Sequence, residues 1–592
     1  MNLSFPMKEL QYINQFFYKY RFRLLLGIVI SIASRYLAVK VPEIVKNSVN
    51  VASDYHHGRL TDLAFVESEL LHNIYLIIGL AVLSGFFTFL MRQTIIVTSR
   101  LIEFDLKNNV YQQYQRLCLN FYKKNRTGDL MNRISEDVGK VRMYVGPALM
   151  YTINMLIMFS VAIYKMIQID IKLTLFTLIP FPLLSVSIFV LSRSINKKST
   201  IVQKQLSKLT TFTQEVFSGV NVIKSYAIEG ITKGDFIEIA QDNKQKNINL
   251  FKVQAFFFPL MILLIGISNI IVLYVGGMQY IGGQITMGVI VEFIMYTNML
   301  TWPVAVVGWV TSTIQEAEAS QKRINEFLRQ EPEVVNIVEE SSHPIKGAIA
   351  FENVSLTYSD TNIKALHDIS FELNSGETLA IIGKTGSGKS SVLNLVSRLH
   401  DATTGNVKID DRPIGKYNVF SLRSHIGFVP QDPFLFSDSI ANNIRFGKKD
   451  ATDEEMIDAA KKAVVHDNIN SFKNGYATVL GERGVTLSGG QKQRVSIARA
   501  IVKNPKIYVF DDCLSAVDTE TEERILRNLK TISKNNTSLI VSHRISAAQH
   551  ADQVIVLDYG KIVQRGTHTQ LLDQDGIYRD MYKQQLEEKE LE

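Results

Sequence analysis

Leu379-Ala380-Ile381-Ile382-Gly383-Lys384-Thr385-Gly386-Ser387-Gly388-Lys389-Ser390 is a short apolar strand that runs into a glycine-rich turn and then into a helical pattern. Strand, turn and helix in that order form a phosphate-binding loop in the context it requires. The glycines let backbone N–H groups converge on phosphate oxygens, and the N-terminus of the following helix adds a favourable potential for an anion. In such a loop Lys389 holds the β- and γ-phosphates of a nucleoside triphosphate, and the Ser390 hydroxyl ligates Mg²⁺. The bland alternative, a chance glycine-rich turn, accounts for neither the strand before it nor the helix after it.

Outward from this loop the surrounding residues agree. Residues 349–358 alternate apolar and polar, as a half-buried strand does. Ile507-Tyr508-Val509-Phe510 reads as a second buried strand and ends in Asp511-Asp512. A carboxylate at the C-terminal end of a strand beside a phosphate loop is where such folds place a Mg²⁺ partner. On its own an Asp-Asp pair means little; beside the loop it points to Asp511. Residues 331–346 contain Pro332, Pro344, several acids and two serines and read as a linker, which leaves 347–592 as the nucleotide-binding domain and 1–330 as something else.

That first part is a membrane domain. Apolar segments recur at about 24–45, 74–97, 145–167, 173–195, 255–275 and 289–310, each with roughly the 20 residues that cross a hydrocarbon core. Six spans return the chain to the side on which it began, and basic residues say which side that is. Arg21 and Arg23 precede the first span, Arg100 to Arg142 follows the second with nine basic residues, and Arg193 to Lys224 follows the fourth, whereas residues 276–287 hold none. Both termini and both long loops are therefore expected in the cytoplasm. The two loops, 99–142 and 194–252, carry apolar residues at helical spacing, so the spanning helices are expected to continue out of the membrane as paired arms with tips near 121–130 and 226–236. Lys40 and Glu43 are expected to pair at the outer surface. Arg35 and Glu292, at membrane depth, are expected to face an aqueous cavity. Phe86, Phe87, Phe89, Phe256, Phe257, Phe258, Trp302 and Trp309 are candidates to line a path for apolar cargo, although helix packing or lipid contact explains most of them as well.

Bulk composition fits two unlike parts. The chain has 592 residues, 46% hydrophobic and 20% charged, with a formal charge of +7, too long for a single core. The basic residues form no stripe interleaved with aromatics, so no nucleic-acid partner is expected. Cys118 and Cys513 are the only cysteines; they suggest neither a disulfide framework nor a metal site. Residues 1–20 mix charged and aromatic side chains and do not resemble a cleaved signal.

Leu487-Ser488-Gly489-Gly490-Gln491 closely resembles the signature sequence of ABC (ATP-binding cassette) proteins. Further segments match that family in order: Tyr358 as the ring that stacks on adenine, Gln431 in Val429-Pro430-Gln431-Asp432, Ser515-Ala516-Val517-Asp518 as the D-loop, and His543 in Val541-Ser542-His543-Arg544 as the switch histidine. Gly481-Glu482-Arg483-Gly484 resembles the exporter-specific loop, and Phe121 with Thr127-Gly128-Asp129-Leu130 the first cytoplasmic loop of such exporters. The resemblance implies a six-span α-helical membrane domain fused to a mixed α/β phosphate-loop ATPase. ATP would be held by Tyr358, Gly383, Lys384, Thr385, Gly386, Ser387, Gly388, Lys389, Ser390 and Ser391, and Mg²⁺ by Ser390, Gln431 and Asp511. Asp512, His543 and Gln431 would be catalytic, and Ser488, Gly489, Gly490 and Gln491 would close over the ATP of a second half-transporter. It also implies ATP-driven export of a small amphipathic or hydrophobic substrate across a lipid bilayer, here expected to be a bacterial inner membrane. A channel or regulatory subunit on the same scaffold is the alternative.

The sequence departs from the family at one position. Most active members carry glutamate after the Mg²⁺ aspartate, and this chain has Asp512. A side chain one methylene shorter withdraws its carboxylate by about 1 Å, and a misplacement of that order costs about 100-fold in rate. The pattern resembles the degenerate half of heterodimeric exporters, so a heterodimer is expected ahead of a homodimer. The retained His543 weighs the other way.

Overall fold

The computed structural model describes residues 8–336, 344–481, 484, 487–515, 517–533 and 536–591. They divide into two compact units, 1–115 with 128–330, and 116–127 with 331–592. The short helix Leu119–Lys124, inside the first expected arm, thus groups with the second unit.

The first unit contains six helices long and apolar enough to cross a membrane: α1 (Arg21–His56), α2 (Leu63–Arg116), α3 (Thr127–Ile169), α4 (Ile171–Ser218), α5 (Glu229–Ile281) and α6 (Met287–Leu328). At 54 residues, α2 is about 80 Å long, well beyond a hydrocarbon core of about 30 Å, so the helices do continue past their apolar segments. Large apolar side chains such as Val29, Val82, Phe189 and Ile270 lie exposed on the outside of the bundle, as a surface meeting lipid requires. Buried hydroxyls return their protons to carbonyls one turn back: Thr177 to Leu173 at 2.7 Å and Thr297 to Phe293 at 2.8 Å. These two hydroxyls are satisfied within their own helices, whereas the buried Ser268 hydroxyl and Asn154 Oδ1 have no partner.

Two expectations for this unit are corrected. The second arm turns at Gly219–Ile228 rather than near 226–236: Gly219 ends α4, a short helix follows over Val220–Tyr226, and Ala227 adopts φ 51° to reverse the chain. From Glu229 onward the chain is already helical. Glu292 does not face a cavity. It is 1% exposed, 3.0 Å from Lys46 of α1, and accepts the Tyr296 hydroxyl at 3.0 Å. The helices press together here: a Cβ on Gly288 would lie 2.3 Å from the Lys46 carbonyl. Lys40 and Glu43 pair as expected at 3.2 Å, and Lys165 of α3 joins them at 3.2 Å.

The second unit is built on a six-stranded sheet ordered β10-β9-β3-β8-β7-β6. Its strands are β3 (Thr378–Gly383), β6 (Ile426–Val429), β7 (Ile507–Asp511), β8 (Thr537–Ser542), β9 (Gln553–Asp558) and β10 (Lys561–Gly566). All pairings are parallel except β9–β10. A second, antiparallel sheet runs β2-β1-β4-β5, from β1 (Ile349–Thr357), β2 (Lys364–Leu373), β4 (Thr404–Ile409) and β5 (Arg412–Pro413). Strands β3, β7 and β8 are buried along their whole length, which explains their uninterrupted apolar runs. Leu379, Ile381, Val509 and Val541 face one core, shared with β1 and β2, while Tyr508, Phe510 and Ile540 face another, made by helices around Val495 and Ile525.

Candidate active site

The sheet order builds the site. Parallel strands β3, β8, β7 and β6 lie side by side, and their carboxyl ends carry the phosphate loop, His543, Asp511-Asp512 and Gln431 respectively. Register aligns them, with Ile381 opposite Val541 and Asp511 opposite Val541. Ligands of open α/β sheets bind at this edge. Here it holds a cleft of about 530 Å³, lined by Tyr358, the loop from Thr385 to Ser391, Gln431, Asp511, Asp512 and His543.

The loop needs its glycines. Gly386 and Gly388 have φ of 81° and 98°, and a Cβ on Gly388 would lie 2.5 Å from the Ala365 carbonyl. Gly383 and Lys384 do not line the cleft; their carbonyls accept the Lys389 ammonium at 2.8 and 2.9 Å. Burial lowers the pKa of that ammonium, and nearby Asp512 and Asp511 oppose the shift. The helix that follows, α7 (Lys389–Val396), has no side-chain cap; the Ser391 N–H donates to the Gly388 carbonyl at 3.1 Å, which leaves the Lys389 and Ser390 N–H groups for an anion. The Ser387 hydroxyl is buried with no partner.

Ser390 donates to Asp511 Oδ1 at 2.8 Å. Burial raises the Asp511 pKa, and the Ser390 bond works against that rise. A hydroxyl and a carboxylate side by side at the phosphate end are hard oxygen donors of the kind Mg²⁺ takes, with phosphate and water completing its shell; the residues present fit the ion. Asp512 sits at φ 43°, a conformation that aspartate tolerates better than most residues. Its N–H donates to Val541 O at 3.0 Å. Its carboxylate lies 3.4 Å from the Gln431 amide nitrogen and 4.0 Å from His543 Nε2. Gln585 donates to the His543 carbonyl at 2.7 Å, and Arg544 pairs with buried Glu522 and reaches the Val517 carbonyl at 3.2 Å.

Tyr358 reaches the cleft from the end of β1. Its hydroxyl lies 2.9 Å from Ser391 Oγ, its ring meets His400 edge-on at 5.2 Å, and Lys123 of the short helix Leu119–Lys124 sits 5.3 Å from the ring centre. Asn120 of that helix donates to Glu333 at 2.7 Å and to Ser359 at 2.6 Å.

Ser488, Gly489, Gly490 and Gln491 do not line this cleft. They open α8 (Gly489–Val502), where Ser488 and Gln491 cap each other. Glu482, Arg483 and Ala516, named in the motifs above, lie outside the described residues. Sequence reading missed the far wall of the cleft: Ile363, Lys364, Ala365 and His367 from the β2 region, and Tyr559 and Gly560. The last two form the β9–β10 hairpin turn, both at positive φ (43° and 74°), and the Tyr-Gly pair between two apolar runs was the available signal.

Comparison with known proteins agrees with this geometry. Residues 24–304 match the family described as ABC transporter transmembrane region, and 366–515 the family described as ABC transporter. The "Multidrug resistance-like ATP-binding protein MdlA" of Escherichia coli (strain K12) is 36% identical over 533 residues, 89% of this chain and 90% of that one. The "Probable multidrug resistance ABC transporter ATP-binding/permease protein YheI" of Bacillus subtilis (strain 168) is 34% identical, with 97% of each covered. A solved structure described as a bacterial Atm1-family ABC exporter with ATP bound superposes with a TM-score of 0.79 at 25% identity, over 95% of this chain and 98% of that one.

Proposed function

Since the chain belongs to the ABC transporter family, whose ATPase domain hydrolyses ATP to drive transport, we propose that it is one half of a multidrug-type exporter whose own cleft binds MgATP but turns it over slowly. In this reading two chains dimerise, each ATP lies between the phosphate loop of one and the Ser488–Gln491 turn of the other, and a heterodimer supplies one fast site. The observation that carries it is the separation within one chain: a cleft with cation, carboxylates and open N–H groups in one place, and a signature turn that lines none of it. Lys389 would exchange its two carbonyl partners for phosphate oxygens. Ser390 and Asp511 would hold Mg²⁺, which neutralises charge on the phosphates when bound. Asp512, held between Gln431 and His543, would orient the attacking water from a position one methylene too far back.

ATP bridging two chains favours the closed arrangement, and that differential binding can shift a membrane cavity from inward- to outward-facing. The short helix Leu119–Lys124 and the tip Val220–Tyr226 would carry the motion. The ATPase unit and both termini lie in the cytoplasm of a bacterial cell, with the spans in its inner membrane, in keeping with the basic loops and the bacterial relatives. The cargo is a small amphipathic or hydrophobic molecule. The test is uptake of a lipophilic dye into inside-out vesicles: it should need MgATP and vanish in Lys389→Ala. The Asp512 departure also favours a second reading, a gated channel or regulatory subunit, which would dissipate a dye gradient where a pump builds one.

A further inference from the structure

Within the membrane unit, Tyr151 of α3, Phe257 and Phe258 of α5, and Trp302, Ala305, Val306 and Trp309 of α6 line a pocket of about 320 Å³ that is open on one side, where Phe258 and Trp302 are exposed. Five of these seven side chains are aromatic, and no charged group lines the space. Tyr151 and Trp309 meet edge-to-face at 5.7 Å, and so do Phe257 and Phe258 at 5.6 Å. Of the eight aromatics singled out in the sequence, four come together here; Phe86, Phe87, Phe89 and Phe256 do not line it.

Two of the three helices that supply an aromatic are irregular near it, and the third carries a proline there. Helix α3 contains a π-helical turn over Tyr144–Ala148, with Pro147 inside it, just before Tyr151. Helix α5 breaks at Ala255 and Phe256, between Glu229–Gln254 and Phe257–Ile281, immediately before its aromatic pair. Helix α6 carries Pro303 next to Trp302. A kink has a local cause and usually a use, and π-turns concentrate at functional sites. Two irregular turns and a proline converge on one aromatic-walled space and mark it as built for an occupant.

We propose that this cage is a substrate-binding site for an uncharged, planar, fused-ring aromatic molecule, which deepens the exporter reading and rests on it. Flat rings gain offset and edge-to-face contacts with the five aromatic walls. An ionic group would lose its hydration and find no counter-charge. The volume, at the small end for ligand pockets, suits a compact ring system. Only the Tyr151 hydroxyl and the two indole N–H groups offer polar handles.

The molecule carries its own reporter. Its only two tryptophans, Trp302 and Trp309, both line the cage. Pyrene, which is flat, uncharged and absorbs where indole emits, is titrated into the full-length chain in lipid nanodiscs while tryptophan emission is followed. Saturable quenching is expected, with an apparent Kd about three- to ten-fold weaker in Phe258→Ala and in Tyr151→Ala. Phe258 is 64% exposed, so its truncation leaves no void in the core. Dodecanol, a straight chain of similar lipophilicity, should not displace pyrene. Quenching that does not saturate, a Kd unmoved by Phe258→Ala, or equal displacement by dodecanol would overturn the assignment. Lys389→Ala separates the two readings: it should abolish MgATP-dependent dye uptake into inside-out vesicles and leave quenching intact, so uptake that survives it would sink the exporter reading without touching the cage.

Discussion

Two glycine-rich turns in the ATPase unit lead into helix N-termini, and they are equipped differently. The turn before α7 has Lys389 folded into it, Ser390 bonded to Asp511, and no side chain capping its N–H groups. The turn before α8 is closed by its own chain: Ser488 accepts the Gln491 N–H at 3.3 Å, and Gln491 Oε1 accepts the Ser488 N–H at 3.0 Å. Both Ser488 and Gly489 are exposed, while Ser387 and Lys389 are buried. A helix N-terminus favours an anion in either case. The first turn brings the Lys389 cation into one cleft with Asp511 and Asp512, which is what gripping a triphosphate with Mg²⁺ requires. At the second, the Arg494 guanidinium is already engaged by the Gly490 carbonyl at 3.3 Å and the Val464 carbonyl at 2.7 Å. This second turn has the character of a lid, and a lid on this chain serves a cradle on another.

The sharpest way to break that contrast is to disarm the first turn. Lys389→Ala should lower MgATP turnover at this chain's own loop by about 10²–10³-fold, the range for removing one group that stabilises developing charge; a single-turnover assay that follows nucleotide bound at this loop measures it. Next comes the carboxylate beside it. Asp512→Glu should raise hydrolysis at this chain's own loop by about 100-fold in a single-turnover measurement, and no change would mean that Asp512 already reaches the water. A smaller effect is expected at the lid. Ser488→Ala removes the cap and should lower the unfolding free energy by about 1 kcal/mol, read from denaturant midpoints, while nucleotide affinity of the isolated chain's own loop stays the same.

The smallest effect concerns pH. Burial lowers the pKa values of His400, His550 and His568, with Lys123 adding to the effect at His400. Their folded values lie below the unfolded value of 6.5, so the stability tied to keeping them neutral is present above about pH 6.5 and is lost as pH falls below it. The thermal midpoint of the chain should drop between pH 7.5 and 5.5, and His400→Tyr should flatten part of that slope.

Much of this was legible because local rules agreed with the fold. The phosphate loop, the buried strands at 379–382 and 507–510 and the six apolar segments each carry their own periodicity, and each formed the element that the periodicity predicts. What was not legible depended on neighbours supplied by the fold. Glu292 reads as an ionisable group at membrane depth; that Lys46 and Tyr296 meet it follows from how tightly α1 and α6 pack at Gly288. Helical spacing alone puts the second arm tip near 226–236, whereas the reversal is set by Gly219 and by Ala227 at φ 51°. Lys123 near Tyr358 and the Asn120–Glu333–Ser359 contacts join residues more than 200 positions apart, beyond any local pattern. The far wall of the cleft rests on a Tyr-Gly hairpin turn that was visible and not used.

The central claim, that a triphosphate is held by the loop of one chain and the signature turn of the other, has a direct test. In a reconstituted dimer with Gly490→Asp in one chain only, 8-azido-ATP is trapped with Mg²⁺ and photo-crosslinked, and the labelled chain is identified by mass spectrometry. The account predicts that label is lost from the phosphate loop of the unsubstituted chain and retained on the substituted one. Loss from the substituted chain's own loop would contradict it.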